Sequence, residues 1–265
     1  MSEETAFFVL EGERLIPTVL TRGPWSPIHQ HGGPPSAVMA RAIEQAAGEP
    51  GSLHMTRFTI DFIRPVPMEP LTVGVERVRD GRRVRGYTAV LSAGGQVVAR
   101  AHALVVRTEQ VAPPPTPARE PLLPPPDASA PFQIPFFRDP IGYHTGMETR
   151  MARGKFGSGQ AAAWMRQRVA LVLGEAPSPA QRVLVVADSG SGIGAAFDPA
   201  RFIPFINADL TVALHRLPEG EWIGLDAVTA LEPHGIGLTR TSLYDVRGPI
   251  GEGLQGLVMG QPGAR

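Results

Sequence analysis

The stretch VLVVADSGSGIGAA, residues 183–196, decides the fold, because it admits two readings. In a dinucleotide-binding fold VLVV would be a parallel strand, and the glycines a phosphate loop opening a helix. That reading needs helices and strands alternating around it and glycines spaced G-x-G-x-x-G. Here the glycines run G-x-G-x-G, and a run of antiparallel-type strands follows. The other reading makes SPAQRVLVVADS, residues 178–189, a helix and GSGIG the loop after it.

An internal likeness favours the helix. FTIDFIRPVP (58–67) leads through LTVGVERV and RGYTAVLSAGGQVVARAHALVV, while LTVALHRLPEG (210–220) leads through WIGLDAVT and GLTRTSLYDVRGPIGEGLQGLVM. Arg64 falls on Arg216 at an offset of 152 residues, and His102 on Gln255 at 153. The period is too long for a solenoid and points to a duplicated domain. Each flank carries segments with alternation or β-branched enrichment, separated by turn signals such as RDGR, AGG, PHG and VRG, which predicts antiparallel strands. Each also offers one helix, 34–49 in the first flank and 178–189 in the second. Pro34 and Pro35 suit a helix start, where a missing N–H costs little. One helix followed by a run of strands, twice over, is α+β.

Between the flanks, residues 111–135 hold ten prolines, so neither a helix nor an internal strand can persist there. The expected organisation is an N-terminal domain over 1–110, an extended proline-rich linker over 111–135 and a C-terminal domain over 136–265. Lysine plus arginine equals aspartate plus glutamate at 25 each, leaving no general basic field for nucleic acid or an anionic membrane. The absence of cysteine removes disulfides, cysteine-based metal sites and thiol nucleophiles. MSEETAFF opens with acids instead of a basic leader, and no apolar run approaches the roughly 20 residues that span a bilayer. A cytoplasmic location is the expectation.

The chain resembles the acyl-CoA thioesterase II (TesB-like) family, in which two hotdog domains are fused. The likeness is clearest in PWSPIHQHGGPPSAVMARAIE, in FINADLTVALHRLPEGEWIGLDAVT and in SLYDVRGPIGEGLQGLVM. It implies two units, each a long helix wrapped by a curved antiparallel sheet. It also implies hydrolysis of acyl-CoA by a water that an aspartate, a threonine or serine, and a glutamine position, without a covalent intermediate. Carried over by position, these are Asp209, Thr229 and Gln255, although an ungapped comparison puts Ala230 where the threonine would stand. No cofactor is expected beyond the coenzyme A of substrate and product, and self-association is expected.

On strand alternation alone, Asn207, Asp209, Thr211, Ala213 and His215 share one face, and Ile206, Ala208, Leu210, Val212 and Leu214 the other. At the repeat offset the first flank has Arg57 opposite Asp209 and His102 opposite Gln255, so one site per chain is expected, in the second sheet facing the first half. The oxyanion donor is expected at the first helix's N-terminus. Pro34 and Pro35 lack N–H groups, which leaves Gly32, Gly33 and Ser36, and Gly33 is the choice because the backbone is bare there. His29 and His31 lack a third metal ligand, so no metal is expected, and His31 is assigned to the substrate entrance. Arg57, Arg64 and Arg216 are candidates for coenzyme A phosphates. A serine hydrolase would need G-x-S-x-G, which is missing. A hotdog hydratase or dehydratase, or a non-catalytic acyl-thioester binder, remain the alternatives. The first of these wants an aspartate–histidine pair that the sequence does not display.

Overall fold

The computed structural model describes residues 5–49, 51–117, 123–196 and 204–260. The first half contains β1 (Ala6–Glu11), β2 (Arg14–Pro17), helix α1 (Gly33–Ala47), and strands β3 (Leu53–Phe62), β4 (Leu71–Asp80), β5 (Val84–Ala93) and β6 (Gln96–Arg107). The second contains β7 (Ala130–Pro131), β8 (Met147–Gly154), β9 (Gln160–Gln167), β10 (Ala170–Val172), helices α2 (Pro179–Ala187) and α3 (Gly190–Ile193), and strands β11 (Phe205–Asn207), β12 (Asp209–Leu214), β13 (Ile223–Leu231), β14 (Ile236–Asp245) and β15 (Gly248–Met259).

Residues 183–187 of the opening stretch are therefore helical. Ser178 caps α2 by accepting the Gln181 N–H at 3.1 Å, and Pro179 occupies the position where a missing N–H is harmless. GSGIG, expected as a plain loop, instead begins with the single turn of α3. The turn is held from outside, because the Ser191 N–H donates to the side chain of Gln255.

The strands form one sheet in the order β10-β1-β2-β4-β5-β6-β3-β12-β15-β14-β13-β9-β8-β7, with β11 also on β15. Its pairs are antiparallel except β1 on β10, where Ala6 lies opposite Ala170 and ties the first strand to the second half. The halves meet at β3 and β12, from Asp209 opposite Asp61 to Ala213 opposite Arg57. Helix α1 packs on α2 in antiparallel fashion: Gly33 at its start touches Val185, and Glu44 near its end accepts hydrogen bonds from Ser178 and Gln181. One hydrophobic cluster runs through both halves, with Phe7, Val38, Ile43 and Phe58 from the first and Val183, Val185, Leu225 and Leu243 from the second. The architecture is thus α+β, as the patterning requires.

Of the proline-rich segment, residues 118–122 lie outside the described residues. The part from 123 on is fastened to the second half: Trp164 donates from Nε1 to the Pro124 carbonyl at 2.7 Å. Pro131 sits in the edge strand β7, the position in a sheet where proline is tolerated. Among the described residues no helix is long and apolar enough to cross a membrane.

Candidate active site

A cleft of about 430 Å³ opens where the two halves meet. The first half lines it with residues 24–26 and 29–32 around the start of α1 and 62–66 at the end of β3, and the second with 134, 136–137, 188–189, 191–192 and 205–208. Its walls are mainly apolar, including Phe62, Val66, Ile134, Phe136, Phe137 and Phe205. Trp25, 45% exposed, closes one side against Phe136 and Phe205 with ring centroids 5.3 and 5.7 Å away.

Among the described residues one carboxylate lines this cleft, that of Asp188, the residue that ends α2. It is 6% exposed. Its Oδ1 accepts from Asn207 Nδ2 at 2.8 Å, and its Oδ2 lies 3.2 Å from Nδ1 of His31 on the opposite half. The carboxylate rests on the bare Cα of Gly32, where a Cβ would come within 2.9 Å of both oxygens and 2.7 Å of Phe62. The bare backbone at this glycine lets the carboxylate lie against it. Gln255, 1% exposed, grips the backbone beneath: Nε2 donates to the Asp188 carbonyl at 3.0 Å and Oε1 accepts the Ser191 N–H at 2.9 Å. Both ends of this amide are occupied, so Gln255 fixes the turn that presents Asp188.

The His31 ring lies flat on Tyr143, with centroids 3.7 Å apart and planes 2° from parallel. Burial lowers the His31 pKa below its ordinary value, against the opposing pull of Asp188. The Tyr143 hydroxyl donates to the Val185 carbonyl at 2.8 Å and lies 3.0 Å from Ser189 Oγ; burial raises its pKa far above the usual phenol range. Among the described residues no cluster of three metal-type ligands forms.

The sequence-derived candidates divide. His31, Gly32 and Arg64 line the cleft, and Gln255 lies directly under it. Asp209 does not line it; its Oδ1 accepts the Gly256 N–H at 2.7 Å. Thr229 Oγ1 pairs with Thr239 Oγ1 at 2.7 Å, away from the cleft. Arg57 is exposed on β3. Arg216 is committed to Asp245, with NH1 and NH2 2.5 and 2.6 Å from its two carboxylate oxygens. The Gly33 N–H faces His31 Nδ1 at 3.1 Å, and a Cβ there would fall 2.1 Å from the Val185 carbonyl oxygen. Gly33 thus serves the contact between helices.

Asp188 and Asn207 are the residues that sequence reasoning missed, and for Asn207 a one-residue bulge explains why. Asn207 lies opposite Leu257, yet Thr211 lies opposite Leu254, so the chain advances four residues while β15 retreats three. The extra residue reverses the side-chain alternation. Phe205 and Asn207 turn inward before it, and Leu210, Val212 and Leu214 turn inward after it, which corrects the unbroken alternation expected through 206–215. Asp188 had its signal in the opening stretch itself, as the acid at the end of an apolar helix.

Residues 21–106 match the family model of the acyl-CoA thioesterase N-terminal domain, and residues 109–259 match that of the acyl-CoA thioesterase C-terminal domain. Among solved structures, a hot dog fold protein from Alicyclobacillus acidocaldarius is similar with a TM-score of 0.74 and 19% identity, covering 98% of either chain. The tesB protein of Mycobacterium avium subs paratuberculosis gives 0.69 at 15% identity, covering 95% of this chain and 94% of that one. The acyl-CoA thioesterase II TesB2 of Mycobacterium marinum gives 0.67 at 17%, covering 96% and 95%. At these identities the likeness is one of fold. No curated protein matches the chain in sequence.

Proposed function

We propose that this chain, which belongs to the double-hotdog acyl-CoA thioesterase II family, hydrolyses acyl-CoA thioesters in the cleft between its halves. The observation that carries this reading is the Asp188 carboxylate, buried at the base of an apolar cleft and held there from both halves. Hydrolysis of a thioester needs a water made nucleophilic, a slot for the acyl chain and a donor for the carbonyl oxygen as it gains charge. Asp188 supplies a fixed negative charge that favours loss of the water's proton, Asn207 holds the carboxylate and Gln255 holds its backbone. The aromatic walls suit the acyl group. The start of α1 offers the positive end of a helix dipole, and Gly32, the residue before it, lines the cleft. Arg64 stands exposed at the cleft without an ion pair among the described residues, available to a phosphate of coenzyme A.

The catalytic roles first sought at Asp209 and Thr229 are better assigned to Asp188 and Asn207, because only the latter pair faces the cleft. The test is release of free thiol from a panel of acyl-CoAs. Asp188→Asn should lose about 10²–10⁴-fold in kcat, the usual contribution of a positioned acid or base, while the protein folds as before. Undiminished turnover by that variant would remove the carboxylate from the reaction.

A second reading, hydration of a 2-enoyl thioester, gains one observation that the sequence lacked: an aspartate and a histidine are paired beside the start of α1. Crotonyl-CoA separates the two, since a hydratase would consume its double bond without releasing thiol.

A further inference from the structure

We propose that His31 takes the proton from the attacking water and returns it to the departing sulfur, with Asp188 acting through it. This deepens the thioesterase reading and rests on it. The argument starts from Nδ1, which has two neighbours, the Gly33 N–H at 3.1 Å and Asp188 Oδ2 at 3.2 Å. A ring nitrogen either donates or accepts. If Nδ1 accepts from Gly33, its lone pair also faces a carboxylate oxygen, and two acceptors repel. If Nδ1 carries the proton, the Gly33 N–H loses its acceptor, but the ring donates to the carboxylate in a charge-assisted bond, roughly twice as strong as the neutral one given up. The second arrangement is favoured, and it leaves the Nε2 lone pair bare.

The surroundings hold the ring in this pose. Tyr143 lies flat against one face, Phe137 lies at 6.3 Å, and the ring lines the cleft with its side chain 11% exposed. Nε2 has no partner among the described residues. The titratable groups facing the ring are Asp188 and the Tyr143 phenol, whose proton is held by burial and committed to Val185. Burial lowers the His31 pKa, so at neutral pH the imidazole is in its basic form.

The chemistry balances with water alone. Nε2 takes a proton as the water oxygen bonds to the thioester carbon, and the imidazolium forms beside Asp188 while the carbonyl oxygen becomes an anion. When the carbon–sulfur bond breaks, sulfur keeps the electron pair and takes the proton from Nε2. A carboxylic acid and a thiol leave, and the ring is neutral again.

The experiment uses the purified full chain, acyl-CoAs that the wild type turns over, and the variants His31→Gln and Asp188→Asn, with kcat and KM followed across pH. Nitrogen-15 NMR of histidine-labelled wild type reads the ring. The expected result for His31→Gln is a loss of about 10²–10⁴-fold in kcat with little change in KM. The acidic limb of the wild-type kcat/KM profile should disappear with it, and His31 in the wild type should carry its proton on Nδ1. If His31→Gln keeps kcat within tenfold and the same acidic limb while Asp188→Asn does not, Asp188 is the base itself; the proposal falls and the thioesterase reading stands. If both variants turn over like the wild type, or the wild type releases no thiol from any acyl-CoA, both fall. Should His31→Gln fail to fold, the tautomer decides: a proton on Nε2 and a bare Nδ1 overturn the proposal.

Discussion

At Asp209 the carboxylate accepts the Gly256 N–H, so it does the work of a backbone acceptor at the bulge between β11 and β12. Removing it leaves a partly buried donor unpaired. Asp209→Ala should lower stability by about 1–3 kcal/mol and leave kcat near wild type, as urea unfolding beside a thiol-release assay will read. The adjacent glycines 32 and 33 separate in the same way. A methyl at Gly32 meets the Asp188 carboxylate and the Phe62 ring tip, groups that can give way. Gly32→Ala should therefore fold, displace the carboxylate and cost up to about 10²-fold in kcat, the loss that follows a misplacement of about 1 Å. A methyl at Gly33 meets the Val185 carbonyl at 2.1 Å, which is rigid helix backbone. Gly33→Ala should cost about 1–3 kcal/mol or more in stability by overpacking. A Gly33→Ala protein as stable as wild type would show that the helices are not in that contact.

The pairing of α1 with α2 has its own polar lock. Glu44 accepts from Ser178 Oγ at 2.8 Å and from Gln181 Nε2 at 2.6 Å. Burial nonetheless dominates and raises the Glu44 pKa above its ordinary value, with the two hydrogen bonds working against the rise. The folded state therefore holds this proton more tightly than the unfolded one. Its stabilising contribution is complete below the ordinary carboxylate pKa and is lost as pH rises through the raised folded value. In urea unfolding from pH 4 upward, wild type should lose stability relative to Glu44→Gln across that window; a constant difference would mean that the carboxyl is not buried. How far elements could be read from sequence follows similar physics. Both helices and the runs of antiparallel strands were legible, because proline placement and alternation are local signals. Gln255 was legible through the family likeness, and His31 and Gly32 through their place before the helix. Asn207 was not, because alternation carries no mark of an extra residue at a bulge, and Asp188 showed only as an acid closing an apolar helix. Nor does the sequence of α2 say which residue its last turn will set against the other half.

The molecule as a whole is joined by more than its cleft. The sheet runs unbroken through β3 and β12, where the Thr211 hydroxyl lies 3.1 Å from that of Thr59. β1 reaches over to β10, α1 lies on α2, and a single hydrophobic cluster threads both halves. If either half unfolded alone, it would expose the apolar faces of β3 and β12, among them Phe58, Ile60, Leu210 and Val212, each 2% exposed or less. At about 1.5–3 kcal/mol for each large apolar side chain uncovered, a state with one half folded is strongly disfavoured. The expected outcome is one cooperative transition. In calorimetry the van't Hoff and measured enthalpies should agree, and the fluorescence change of Trp164 and Trp222 should coincide with loss of far-ultraviolet ellipticity. Two resolved transitions would show instead that the halves are independent units in contact, and that the cleft between them can come apart without either one melting.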